Sequence, residues 1–293
     1  MMKKKRKIPV SKIFVYFILA GIGFVYLYPV LYMIVNSFLS AGDLTDPSVT
    51  WIPTELCFDN FSTAFETLDF FKSFGMSMLM SLIPAVLQTA VTAVVAYGLA
   101  RFHIPFKKVI LVLILITFLL PTQVMLVPRY VLFDTYHLTD TIWAQFLPAL
   151  FGQGLNSAIF IFVYYSYFVS YPVVLDEAAE IDGAGKWKIF LKVSLPMAKG
   201  AIILSMLFSF VFYWNETYLS NTLWGGKIQT LPLKLQSFTL QYEALYGKEA
   251  AGSISESVSL AGTLLSILPL LVMYLIFQRQ FVESIESTGI TGE

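Results

Sequence analysis

Glu177-Ala178-Ala179-Glu180-Ile181-Asp182-Gly183-Ala184-Gly185, running on to Val193-Ser194-Leu195-Pro196, is the longest run rich in charge and small side chains in an otherwise apolar chain. It lies between two segments long enough to cross a bilayer. Locally it reads as a short helix. Asp176 stands where an N-cap would be, acidic groups complement the helix start, and Gly183 or Gly185 suits a left-handed C-terminal cap. Ala178 and Ala179 give that helix, about two turns long, a small flat face around which a partner's groove could close. Beyond it Lys186, Lys188 and Lys192 alternate with Trp187, Ile189, Phe190 and Leu191, a pattern suited to the headgroup level of a membrane. Pro196 is expected to break the chain before the next span.

Composition sets the same frame. Of 293 residues 57% are hydrophobic and only 13% charged, with a mean hydropathy of +0.72. That is far from a soluble domain. Aromatic residues supply 16%, in keeping with ring-rich membrane interfaces. The formal net charge is zero, so no basic footprint points to nucleic acid. A single cysteine, Cys57, excludes an intrachain disulfide framework, and two separated histidines, His103 and His137, make no zinc pair. No metal site is expected.

The chain is predicted to be an all-α integral membrane protein of six spans. Residues 1–12 are a basic flank, and residues 13–39 form the first span, too long for a signal-peptide core. Residues 40–72 are an acidic external loop with short helical pieces. A core over 73–279 holds five further spans, at about 74–100, 109–127, 142–168, 200–219 and 258–277, with the charged loop at 169–198 between the fourth and fifth. Residues 280–293 are a tail. Only five of the 19 Lys and Arg (Lys72, Arg129, Lys227, Lys234 and Lys248) fall outside if the N-terminus is inside. This bias places both termini and the charged loop in the cytoplasm.

The spacing of the opening stretch carries a resemblance. Glu177-Ala178-Ala179, Gly183 four positions on, and the Val193-Ser194-Leu195-Pro196 ending together resemble the cytoplasmic EAA loop of permease subunits of ABC importers. Asp182-Gly183-Ala184, with Phe190 following, is most similar to the carbohydrate branch, the maltose-transporter type. The tail start Gln278-Arg279-Gln280-Phe281-Val282 is similar to carbohydrate-permease tails, with Gln280 where tyrosine is usual. The resemblance implies a membrane-spanning subunit of a sugar (oligosaccharide) importer in the bacterial cytoplasmic membrane. Its implied partners are a second, homologous permease, two cytoplasmic ATPase subunits and an extracytoplasmic sugar-binding protein. It also implies that Glu177, Ala178, Ala179, Asp182, Gly183, Leu195 and Pro196 form the coupling site, with the helix seated in a cleft of an ATPase subunit.

This chain is not expected to be an enzyme or to bind a cofactor. Gly183-Ala184-Gly185-Lys186-Trp187 imitates a phosphate loop, but Glu180 replaces the required upstream glycine and Trp187 the following Ser/Thr. ATP and Mg would therefore sit on the partner subunits.

Polar residues within spans are candidates for the substrate path, because unpaired polarity in hydrocarbon is costly. Gln88, Gln123, Asn156, Trp214, Asn215 and Glu216 are the set chosen, since amides, carboxylates and aromatic faces suit sugars. Helix-to-helix hydrogen bonding is the competing role for the same side chains. Tyr164, Tyr165, Tyr167 and Tyr171 are read as an interfacial aromatic belt. Two rival functions stay open at this level: an ion-gradient-driven carrier, and an ABC permease for a solute other than a sugar.

Overall fold

The computed structural model describes residues 10–248 and 256–289, which form helices joined by turns, with no β-strand among them. Residues 1–9 of the expected basic flank and 290–293 of the expected tail lie outside the described residues. The chain divides into two compact units, residues 1–69 with 237–268 and residues 70–236 with 269–293.

The first unit begins with α1 (Val10–Asn36), exposed along nearly its whole length although it is strongly apolar. A helix that is apolar all round and unburied belongs in lipid or against another membrane protein. The expected loop 40–72 is more ordered than its composition suggests. It contains α2 (Ala41–Thr45) and α3 (Asp59–Thr67), and its last residues already belong to the next helix. The buried Asn60 side chain donates to the carbonyls of Ser37 at 3.0 Å and Leu39 at 2.9 Å, stapling α3 to the end of α1. The Tyr246 hydroxyl on α15 (Phe238–Tyr246) donates to Glu66 at 2.8 Å, so α15 closes on α3.

The second unit is built around α4 (Phe70–Arg101), the long helix of the expected second span. Its buried side is made largely of small residues, among them Ser73, Ser77, Ser81, Ala85, Ala93 and Ala96. Such a face lets neighbouring helices approach closely in a membrane. Two apolar clusters lie along it. One gathers Ala93, Ala96, Tyr97 and Leu99 with Ile161, Tyr164, Phe168, Tyr171, Phe190 and Ala201. The other gathers Met80 with Phe133, Ala144, Phe146, Leu219, Leu223, Trp224 and Leu233.

Among the described residues, three helices are long and apolar enough to span a bilayer (Phe14–Asn36, Phe70–Arg101 and Glu256–Gln280), or six spans if each of three bent pairs counts as one. Three of the expected spans are drawn differently by the helices. The span drawn over 109–127 is α5 (Lys107–Leu119), followed after a 98° turn by α6 (Thr122–Thr135). Leu120 precedes Pro121 and is extended (ψ 123°), because proline excludes the helical conformation from the residue before it. The span drawn over 142–168 splits into α7 (Trp143–Leu150) and α8 (Ser157–Ser170), parted by Gly152 (φ +70°) and Asn156 (φ +54°). The span drawn over 200–219 is α12 (Lys199–Asn215), which stops where Glu216 turns extended before α13 (Tyr218–Trp224). The last helix, α16 (Glu256–Gly289), runs past the expected end at 277.

The tyrosine belt is also corrected. Tyr164 and Tyr171 are buried in the first cluster, and only Tyr165 and Tyr167 are partly exposed. The Tyr164 and Tyr171 rings both pack on Phe168, Tyr164 stacked at 6.0 Å and Tyr171 edge-to-face at 6.5 Å.

Candidate functional site

The charged loop folds as two helical arms around a glycine joint. The first arm is α9 (Val174–Ile181), which leaves α8 at 73°. Val174, Glu177, Ala178 and Ile181 recur at helical spacing and are all exposed, Ile181 by 87%. Gly183 then adopts φ +79°, its N–H donating to Glu180 and that of Ala184 donating to Ala179. That is a left-handed cap, which favours glycine. Gly185 is ordinary extended backbone (φ −71°, ψ 160°).

The second arm is α10 (Lys186–Ile189), a π-helical segment (Phe190–Ser194) and α11 (Leu195–Met197). It buries Ile189 and Phe190 and exposes Trp187 and Leu191, so the alternating pattern is one of helix faces. The break before α12 falls at Ala198 with a 79° bend, while Pro196 sits inside α11. Lys186 pairs with Glu180 across the joint.

Asp176 is not the N-cap. Val173 holds that position, and the Asp176 side chain turns inward from the first turn of α9. There Asp176 Oδ2 lies 3.2 Å from Arg101 Nε, with both side chains 9% exposed. Arg101 Nη2 also donates to the Tyr171 carbonyl at 2.9 Å, and the guanidinium lies 3.9 Å above the Tyr171 ring. The Tyr171 hydroxyl donates to Asp176 Oδ1 and shares a 2.7 Å hydrogen bond with Ser194 Oγ. A planar guanidinium suits this combination of ion pair, carbonyl bond and ring stacking. Removing one charge from such a buried pair costs about 3–5 kcal/mol. None of Arg101, Tyr171 and Ser194 was placed at this site from the sequence: Tyr171 was assigned to the belt, and Ser194 entered only as part of the motif's ending. The signal available for Tyr171 was its place seven residues after Tyr164, on the helix face that also carries Phe168.

The expected path residues occupy different surroundings. Gln88 is fully buried: Nε2 donates to the Leu155 carbonyl at 2.7 Å and to Ser209 at 3.3 Å, and Oε1 accepts from the Tyr213 hydroxyl at 2.6 Å. Trp214 is 2% exposed, with its ring 5.7 Å from Phe210 and 6.2 Å from Phe74. Asn215 is exposed and donates to the Val211 carbonyl at 2.9 Å. Glu216 caps α13 by accepting from Leu219 N at 2.9 Å. Gln123 and Asn156 are exposed. A pocket is lined by Arg129, Gln145, Gly154, Tyr213, Glu216, Ser220 and Trp224, and Glu216 is the one residue of the expected set in its wall. Among the described residues, no three His, Cys, Asp or Glu side chains converge to hold a metal ion.

Residues 90–285 match the family described as binding-protein-dependent transport system inner membrane component, and the chain belongs to that family. The match takes in the whole charged loop. The chain is 27% identical to the arabinooligosaccharides transport system permease protein AraQ of Halalkalibacterium halodurans, over 93% of this chain and 94% of that one. It is 26% identical to the probable starch degradation products transport system permease protein AmyC of Thermoanaerobacterium thermosulfurigenes, over 96% and 97%. Its fold is similar to that of a chain in the crystal structure of a bacterial ABC transporter involved in the import of the acidic polysaccharide alginate. There the TM-score is 0.77 at 23% identity, over 96% of this chain and all of that one. The protein is an inner-membrane permease component of ABC-type transport, a class that works with ATPase and substrate-binding partners.

Proposed function

We propose that this chain is one membrane-spanning subunit of an ATP-driven oligosaccharide importer. It pairs with a second permease and two ATPase subunits, and it receives sugar from an extracytoplasmic binding protein. The sugar assignment rests on the relatives named for arabinooligosaccharides and starch degradation products. In this reading the chain crosses the membrane six times with both termini inside, as the Lys and Arg distribution favours. It hydrolyses no ATP itself, and nucleotide and Mg sit on the ATPases.

The observation that carries the mechanism is the exposed face of α9. Val174, Glu177, Ala178 and Ile181 stand clear of the chain, and a Cβ built on Gly183 meets no atom within 4 Å. A helix with that much apolar surface free is shaped for a partner's cleft. Glu177, Ala178, Ala179, Asp182 and Gly183 form the contact, and Leu195 and Pro196 belong to the arm that returns to the bundle. Closure of the ATPase dimer moves α9 and shifts the bundle between inward- and outward-facing states.

The test is uptake of a labelled arabino- or malto-oligosaccharide by proteoliposomes holding all subunits. Transport is expected only with ATP and binding protein together, and is expected to survive collapse of ion gradients. Uptake that needs a proton or sodium gradient and ignores ATP would refute the assignment.

A further inference from the structure

The coupling helix is joined to the bundle by more than its own backbone. Along the chain α9 connects to α8 through a 73° bend, and to α10 through the left-handed Gly183, bridged by the solvent-exposed Lys186–Glu180 pair. Both joints can give. A push on α9 carried only by them would be taken up in changed dihedrals before it reached the bundle.

Asp176 supplies a third connection, to a helix remote in sequence. Its partner Arg101 is the last residue of α4 and bonds at the same time to the Tyr171 carbonyl at the end of α8, 70 residues away. Ser194, at the end of the π segment that leads towards α12, closes the group through the Tyr171 hydroxyl. One buried cluster thus ties α9 to the ends of α4 and α8 and to the π segment of the second arm. α4 carries the connection furthest, because its own residues enter both apolar clusters and hold Gln88 between them. An apolar contact lets two helices slide, whereas a guanidinium that donates Nη2 to the Tyr171 carbonyl and forms a buried ion pair with Asp176 resists sliding.

We propose that Arg101 and Asp176 are positioning residues that clamp the coupling helix to α4, so that displacement of α9 is delivered directly to the central helix of the bundle. The inference rests on the transport reading above. It assigns to Asp176 a role distinct from that of Glu177 next to it: Glu177 faces the partner and Asp176 faces the bundle.

The decisive variant removes both charges together, Arg101→Met with Asp176→Leu. Replacing a whole buried pair by apolar groups is often tolerated where removing one partner is not. A second variant, Asp176→Asn, keeps the side-chain shape and reads the same quantity if the double variant fails to assemble. Complete complexes in proteoliposomes are assayed for ATP hydrolysis and sugar uptake in parallel, after co-purification shows the ATPase subunits bound. The expected result is hydrolysis close to wild type with uptake reduced about tenfold, so that ATP spent per sugar rises by that factor. An unchanged ratio of ATP to sugar would overturn the proposal, whether both rates stay normal or fall together. A wild-type complex without ATP-dependent uptake would sink the transport reading and this inference with it. A coupled wild type beside a coupled variant sinks the inference alone.

Discussion

Substitution at Gly183 separates what the chain itself requires from what its partner requires. The residue sits at φ +79°, where an L side chain costs about 1–2 kcal/mol. A Cβ there meets nothing within 4 Å, so alanine and leucine pay the same backbone strain in the isolated subunit. Asparagine, which enters this conformation more readily, pays less. Strain of that size lowers the population of the competent loop about 5- to 30-fold. Any difference between alanine and leucine must then come from atoms outside this chain. Forcing extra methyl groups into a packed cleft costs about 1–3 kcal/mol more, a further 5- to 150-fold. The assay is titration of nanodisc-held permease pairs with purified ATPase subunits, followed by uptake. The expected order of affinity is glycine, asparagine, alanine, leucine, with a clear gap between the last two. If Gly183→Leu binds as well as Gly183→Ala, no partner wall lies against this joint and the docking argument fails.

Gly154→Ala should destabilise the bundle by about 1–3 kcal/mol, because its Cβ would overlap Gln88 Oε1 and the Tyr213 hydroxyl. Gly75→Ala, in open space within α4, should instead be neutral or gain up to about 1 kcal/mol. Thermal unfolding in detergent ranks the two, and equal midpoints would refute the packing described. Gln88→Leu removes three hydrogen bonds and should cost about 2 kcal/mol, at roughly 0.6 kcal/mol per bond within a membrane. An unchanged unfolding midpoint would show those bonds to be replaceable. Asp43 accepts from Thr54, which holds its carboxyl below the usual value of 3.8. A depressed carboxyl stabilises above the unfolded value and loses that contribution as pH falls through the folded one. Protease nicking of residues 40–58 should therefore rise as the pH drops below about 4, and Thr54→Val should raise nicking at neutral pH and flatten that rise; an identical pH profile would count against the contact.

What was legible in the sequence and what was not follow from how far each signal reaches. The short helix of the charged loop and its glycine cap at Gly183 were legible because their signals are local. The breaks inside the spans were half legible. Pro121 and the Gly152-Gln153-Gly154 run stand in plain view, but a hydropathy average passes over them, and nothing local sets a bend of 98°. Asp176 was misjudged for the opposite reason. Its position before Glu177 fits a cap, and the competing partner, Arg101, is brought to it only by tertiary packing. The tyrosines were assigned to an interface by residue type, whereas the face shared by Tyr164, Phe168 and Tyr171 was the better guide. Burial of Trp214 against Phe74 likewise depends on which helices become neighbours, which spacing within one span does not encode.

The Asn60 staple has a consequence for biosynthesis. The carbonyls of Ser37 and Leu39 that close the first long helix find their donor 23 and 21 residues later in the chain. At about 5–20 residues per second, the ribosome leaves that helix end without its lock for about 1–5 s. During that interval water must satisfy both oxygens, so the end of the nascent anchor is held at the aqueous boundary until the amide emerges to take over.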